Sequence, residues 1–446
     1  MNRLSHGWSI LALAAAVSIA VSACASPAAS SPAGSDASSS PAGPVTPQPS
    51  VAPGAARVNL WHTIPAGATE NYFNNTLVPA FAAMHPECVV VPRQLGVEDA
   101  SLIRTGLALD QNDPNRPHMW WLASSETGAY VEADVLADVD GWLSSKPEIK
   151  DNIIPAVLDV SSYDGKVRSL PWMTNATAMW INADLFEKAG VPVPSQDPEQ
   201  TWTWEEFADA VVKLTQGDVK GFLVTTSSGW DFWTYHTWYA SAGGDTSGLA
   251  DLDSPASIKA VQFQKDILSN GQAITTTQGW DPAPFFGQKV AIQANGPWNY
   301  AGLKELTFNW TIVPYPRDVK PAANLGGDQL YIGKGTPEQE ACAFAFGEYM
   351  LSDEFQVGFQ TVSGNLPVTK SAAENAEYKK WLADNPAWAA YVNQTPYGVA
   401  RPPIPEFGQI GDPMFKEAWD DVMLNNADVT ERFTQLQQEV DALLAQ

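Results

Sequence analysis

Apolar residues recur along this chain in two rhythms. Over 58–62 they alternate with polar ones in a β-rich run, Val58-Asn59-Leu60-Trp61-His62, the pattern of a first strand. Over 69–85 the spacing changes. Tyr72, Phe73, Leu77, Val78, Phe81 and Met84 fall at helical intervals, and Pro86 stops the helix that they predict. The apolar run 88–91 predicts a buried strand. Strand, helix and strand at these lengths form a βαβ unit and imply a parallel sheet. Farther on, 117–124 reads as a buried strand that passes through a polar helix to Val135-Leu136. Tyr163-Asp164-Gly165-Lys166 reads as a turn before the strand-like stretch 167–171.

Local signals mark where later helices begin. In Thr203-Trp204-Glu205-Glu206-Phe207 the Thr203 hydroxyl can accept from the third helical amide while Glu206 reaches back, a capping box. Asp253-Ser254-Pro255 and Thr336-Pro337-Glu338-Gln339 place Pro in a first turn, where its missing amide hydrogen costs nothing. Apolar strands interrupted by Gly, Pro or Asn are expected around 295–298 and 325–332, and an amphipathic helix over 414–444. There is no internal repeat. The pattern as a whole is α/β.

The first residues follow a different logic. Arg3 precedes an apolar stretch from Trp8 to Val21, shorter than the roughly 20 residues that span a bilayer comfortably. Residues 1–23 therefore read as an export signal. From Ala25 to about Ala56 the chain is almost entirely Ser, Ala, Pro and Gly with Asp36 its only charge, a composition with too little apolar surface to fold. A flexible tether is expected there.

Composition narrows the function. In 446 residues, 25 Lys plus Arg stand against 50 Asp plus Glu, a formal net charge of −25. A field of that sign repels phosphate backbones and anionic headgroups, which disfavours nucleic-acid and membrane-surface binding. The 18 Trp call for a reason. Cys24, Cys88 and Cys342 are too few for a disulfide scaffold and lack zinc-site spacing. None of the five His falls in an HExxH motif, and no phosphate loop or nucleophile elbow occurs, so neither metal nor cofactor is expected.

The order of segments resembles the extracellular solute-binding proteins of sugar-importing ABC transporters, from about Val58 to the C-terminus. The likeness is carried by Leu60-Trp61-His62-Thr63, His85-Pro86, the Pro-initiated strand from Pro117, and Trp180-Ile181-Asn182-Ala183-Asp184-Leu185-Phe186. Thr203-Trp204-Glu205-Glu206, Gly287-Gln288-Lys289-Val290-Ala291, Gly296-Pro297-Trp298, Gly326-Gly327 and Asn365-Leu366-Pro367 continue the series. Val21-Ser22-Ala23-Cys24 is similar to a bacterial lipoprotein cleavage box, which would make Cys24 the lipidated first residue of the mature protein, outside the cell membrane. The resemblance implies a two-lobe periplasmic-binding-protein fold, type II-like, with crossing strands between the lobes and the ligand in the cleft. The first lobe would comprise 57–171 and 325–364, and the second 172–324 and 365–446, with 24–56 as linker. Cys88 and Cys342 would then share a lobe, as a disulfide or as two separate buried thiols. Partners would be a neutral mono- or oligosaccharide and the transmembrane permease subunits, the protein itself being a monomer.

A sugar cleft needs flat platforms for the C–H face of a pyranose and planar polar groups for its hydroxyl rim. Trp298, in the Gly-Pro-Trp turn, matches a stacking position of the family. Trp230 and Trp233 follow Gly229 in a loop; Trp121 and Trp172 flank the expected cleft, with Asn175 beside them. Trp120, Trp180 and Trp238 also lie on or beside segments aimed at it. His62 at the end of the first strand and Ser124 at the end of another could bond hydroxyls. Gly327 would let the backbone approach the ligand and Asp328 would follow it in. Tyr397 and Arg401 occupy a Pro-rich region that lines the cleft in relatives. The rival reading, a secreted glycoside hydrolase, needs two carboxylates at a set separation, and spacing singles out no such pair.

Overall fold

The structure, a computed structural model, describes residues 54–446 except 96–99, 111–112, 229–230, 248, 250 and 277–278. The export signal, Cys24 and Trp230 therefore lie outside the described residues.

The alternating run after Ala56 forms a seven-residue strand, Ala56–His62. It pairs in parallel with Cys88–Gln94 on one side and with Met119–Ala123 on the other. The sheet is completed by Asp328–Ile332, antiparallel to Met119–Ala123, and then Leu170–Pro171. Cys88–Gln94 is an edge strand, so its burial alternates instead of being continuous. Between the first two strands, Phe73, Leu77 and Phe81 turn inward at four-residue spacing, while Met84 is 52% exposed. The Cys88 and Cys342 sulfurs form a disulfide across 5.5 Å between Cα atoms, joining this edge strand to helix Pro337–Met350.

A second sheet is antiparallel, in the order Ile292–Asn295, Ala178–Asn182, Trp310–Val313. Backbone bonds from Lys220 and Gly221 to 289–292 extend it to the parallel pair Phe222–Thr225 and Ala273–Thr276. Each sheet has its own core. Around the first lie Leu60, Phe73, Trp121, Trp172, Phe346 and Phe355; around the second lie Ile181, Phe207, Trp238, Tyr315, Phe415 and Trp419.

The helix starts form as their sequences dictate. Thr203 and Thr336 make complete capping boxes with Glu206 and Gln339, and the Ser254 hydroxyl accepts from Ser257. The C-terminal stretch differs from expectation. It breaks into Lys416–Met423 and Val429–Leu444, with Asn426 at φ 60° between them. Trp419 and Phe433 can thereby enter one core from two directions.

Three extended segments cross between the sheets. Thr174 exchanges backbone hydrogen bonds with Leu366, Asn175 exchanges them with Gly326, and the Trp172 amide donates to the Asp328 carbonyl. Gly327 has φ 131°, and a Cβ there would strike the Met173 carbonyl, so glycine lets these strands run against each other.

Candidate functional site

Beside these crossings opens a cleft of about 360 Å³. Its walls are built differently. On the side of the first sheet stands Trp121, the middle residue of a wholly buried strand. Its indole stacks on Trp172 at 5.0 Å and 8°, and Trp172 is boxed in by Phe73, Phe355 and Phe359. On the opposite side Trp233 comes from the first turn of helix Asp231–Ser241, Trp280 from a loop, and Trp298 from the turn Pro297–Asn299. Trp233 lies 6.0 Å from Trp298 at 22°, and Trp280 meets both edge-on at 5.5 and 5.7 Å. Together they form an L-shaped apolar wall.

Polar groups line the crossing end: Asn175, Asp328, Ser363 and Asn365. Arg401 enters from the Pro-rich stretch, its guanidinium carbon 5.2 Å from the centre of the Trp233 ring, a cation–π contact that fixes the charge at the cleft. Asp328 is the only carboxylate among the described lining residues. Glycoside hydrolysis needs two.

Behind Trp233, its neighbour Asp231 is fully buried and its Oδ2 accepts from the Ser228 amide at 2.9 Å. Burial pushes this carboxyl up to about 7; Asp420 and Asp412 add to the rise, while the Ser228 bond and Lys416 oppose it. On the first-sheet side, burial raises the Glu126 carboxyl against the pull of Arg104 and Arg401.

Seven of the expected residues meet here: Trp121, Asn175, Trp233, Trp298, Gly327, Asp328 and Arg401. The others do not. Trp172 is completely buried behind Trp121, where it supports the wall without forming it. His62 faces the core and meets Phe73 edge-on at 5.4 Å, and burial pushes its imidazole down to about 3. The chain bends into the cleft only at the next residue, Thr63. Ser124 is buried in a helical turn, where its carbonyl accepts from the Thr127 hydroxyl at 2.7 Å. Tyr397 bonds Glu199 away from the lining. Trp120, Trp180 and Trp238 are core residues.

Sequence reasoning missed Trp280, Phe359 and Asn365, which also line the cleft. Trp280 had a readable signal, a tryptophan between Gly279 and Asp281-Pro282. Phe359 had none, because its spacing in helix Asp353–Ser363 is that of a core residue.

Residues 78–388 match the family of bacterial extracellular solute-binding proteins. The chain belongs to that family. Among the relatives of this solute-binding protein, the sn-glycerol-3-phosphate-binding periplasmic protein UgpB of Shigella flexneri is 22% identical over 378 residues, 79% of this chain and 83% of that one. Two solved structures share its fold. UgpB from Mycobacterium tuberculosis, in complex with glycerophosphocholine, has a TM-score of 0.77 at 21% identity, covering 88% of this chain and 99% of that one. The GacH receptor of Streptomyces glaucescens, studied with acarbose, has a TM-score of 0.75 at 21% identity and the same coverages. These are two-lobe binding proteins, and membership of the solute-binding family supports a substrate-binding role over a glycoside hydrolase. No helix among the described residues is long and apolar enough to cross a membrane.

Proposed function

We propose that this solute-binding protein captures a saccharide between its lobes, without turning it over, and hands it to an ABC permease. The observation that carries the reading is the cleft itself, with indole planes on both walls and a cluster of amide, hydroxyl and carboxylate groups at the crossing. Indoles suit the C–H face of a sugar and the polar cluster suits its rim. The volume sits near the lower end of the range of about 300–1,000 Å³ usual for ligand pockets, which favours one or two rings over a long oligosaccharide. Binding would draw the lobes together by contacts that only the closed state makes. The lobes would be 57–171 with 325–364, and 172–324 with 365–446. Residues 1–23 would direct export, and lipid on Cys24 would hold the monomer outside the membrane through the tether 24–56.

A second reading has its own support. Arg401 gives the cleft a fixed cation, which suits a ligand with a phosphodiester, and two of the similar proteins are named for glycerophosphate-type ligands. Calorimetric titration with tagatose, maltose, maltotriose and glycerophosphocholine separates the two. Saturable binding of a sugar, with the sugar recovered intact, supports the first reading. Exclusive binding of glycerophosphocholine supports the second, and cleavage of any sugar would overturn the assignment as a binder.

A further inference from the structure

We propose that three side chains of the cleft read the ligand's hydroxyl rim: Asn175 as a hydrogen-bond acceptor, and the indole N–H groups of Trp121 and Trp280 as donors. The inference rests on the saccharide reading above and assigns the polar specificity within it.

Asn175 is held firmly. Its amide donates to the Gly326 carbonyl at 3.3 Å and its carbonyl accepts from the Gly326 amide at 2.9 Å. Its side-chain Nδ2 donates to Asn365 Oδ1 at 3.5 Å. The residue is 6% exposed and lines the cleft, yet its Oδ1 accepts nothing from the described residues. Gly326 keeps space for that oxygen. A Cβ there would stand 2.9 Å from Asn175 Oδ1 and 2.5 Å from the Trp233 ring, so any side chain would displace both.

Trp121 and Trp280, from opposite walls, each bury an indole nitrogen with no acceptor among the described residues. Trp172, Trp204 and Trp238 also have unmet indole nitrogens, but those residues pack within cores that leave a ligand no access. Trp121, although it belongs to the first core, and Trp280 both line the cavity that a ligand can enter. An amide oxygen only accepts and an indole N–H only donates, so the molecule that satisfies all three must do both. A hydroxyl group does both. A phosphodiester oxygen could meet the indoles but would leave Asn175 unmet. Asn175 thus selects a hydroxyl-bearing face at the crossing, of a sugar or of a glycerol group, while Trp233 and Trp298 serve the ring face.

The full chain, labelled with ¹⁵N-tryptophan, is titrated in turn with tagatose, maltose, maltotriose and glycerophosphocholine while indole N–H resonances and affinity are recorded. Trp121→Phe and Trp280→Phe assign the two signals. With a sugar that binds, both indole protons shift downfield and exchange more slowly. Trp280→Phe, which keeps an aromatic face and loses the donor, weakens binding about 3- to 10-fold, and Asn175→Ala weakens it about 10- to 100-fold. Trp280 lies in a loop outside the buried cores, so its variant remains decisive even if Trp121→Phe disturbs the stack. Unmoved indole signals, with wild-type affinity in Trp280→Phe and Asn175→Ala, would overturn the inference while leaving saccharide capture intact. Failure of every sugar to bind would overturn both.

Discussion

The cleft is faced by two tryptophan assemblies that look alike in composition and differ in construction. The Trp121–Trp172 pair is strand-borne. Its rings lie almost parallel, and Phe73, Phe355 and Phe359 press on Trp172 from behind. The Trp233–Trp280–Trp298 group is assembled from a helix start, a loop and a short turn, and its rings meet one another at the cleft. The first assembly is core that also lines the cleft through Trp121. The second stands outside the hydrophobic cores, with Trp233 buried and Trp280 and Trp298 half-buried. A tryptophan on a buried strand therefore reports on stability, and one on a turn reports on binding.

Several substitutions would sharpen or break this contrast. The largest effect belongs to Trp172→Ala, which should cost about 3–5 kcal/mol of stability, read by chemical denaturation. A loss below about 1 kcal/mol would show that the stack is no part of the core. Trp298→Ala should leave the melting temperature nearly unchanged and weaken sugar binding by about 2 kcal/mol, roughly 30-fold. Equal losses of stability in the two variants would erase the distinction. Thr203→Ala, at the helix under the second core, should lower stability by about 1 kcal/mol and leave affinity untouched.

A further effect concerns pH. Asp231 has a folded pKa of about 7, above its ordinary 3.8, so between those values the folded state holds a proton that the unfolded state has lost. Its contribution to stability is complete in acid and is lost as pH rises through about 7. His62 acts in the opposite sense, since its folded value near 3 lies below the usual 6.5 and stability falls as the solution is acidified under that value. Asp231→Asn should remove the decline toward neutral pH. Melting curves from pH 4 to 8 in which the variant and the parent run parallel would refute that assignment.

Much of the fold was legible because its signals are local. The capping boxes at Thr203 and Thr336 need only four residues each, and the alternation in Ala56–His62 needs only the strand itself. The site was legible in part. Trp298 and Trp233 declared themselves by their neighbours Gly296-Pro297 and Gly229. His62 and Trp172 misled because each sits one step from a lining residue, Thr63 and Met173, and periodicity cannot say at which residue a strand turns out of its core. Phe359 was invisible for the converse reason. It serves the core and the cleft from a single position.

The order of strands in the first sheet has a consequence for how the molecule is born. Asp328–Ile332 sits between Met119–Ala123 and Leu170–Pro171, so a strand from late in the chain completes a sheet begun by the earliest folded residues. As the polypeptide emerges with its N-terminus leading, that sheet waits with an open slot while the intervening residues gather around their own centre. Until the late strand arrives, the edge of Met119–Ala123 is a template for any passing extended segment, and a chain cut short before Asp328 would leave it so.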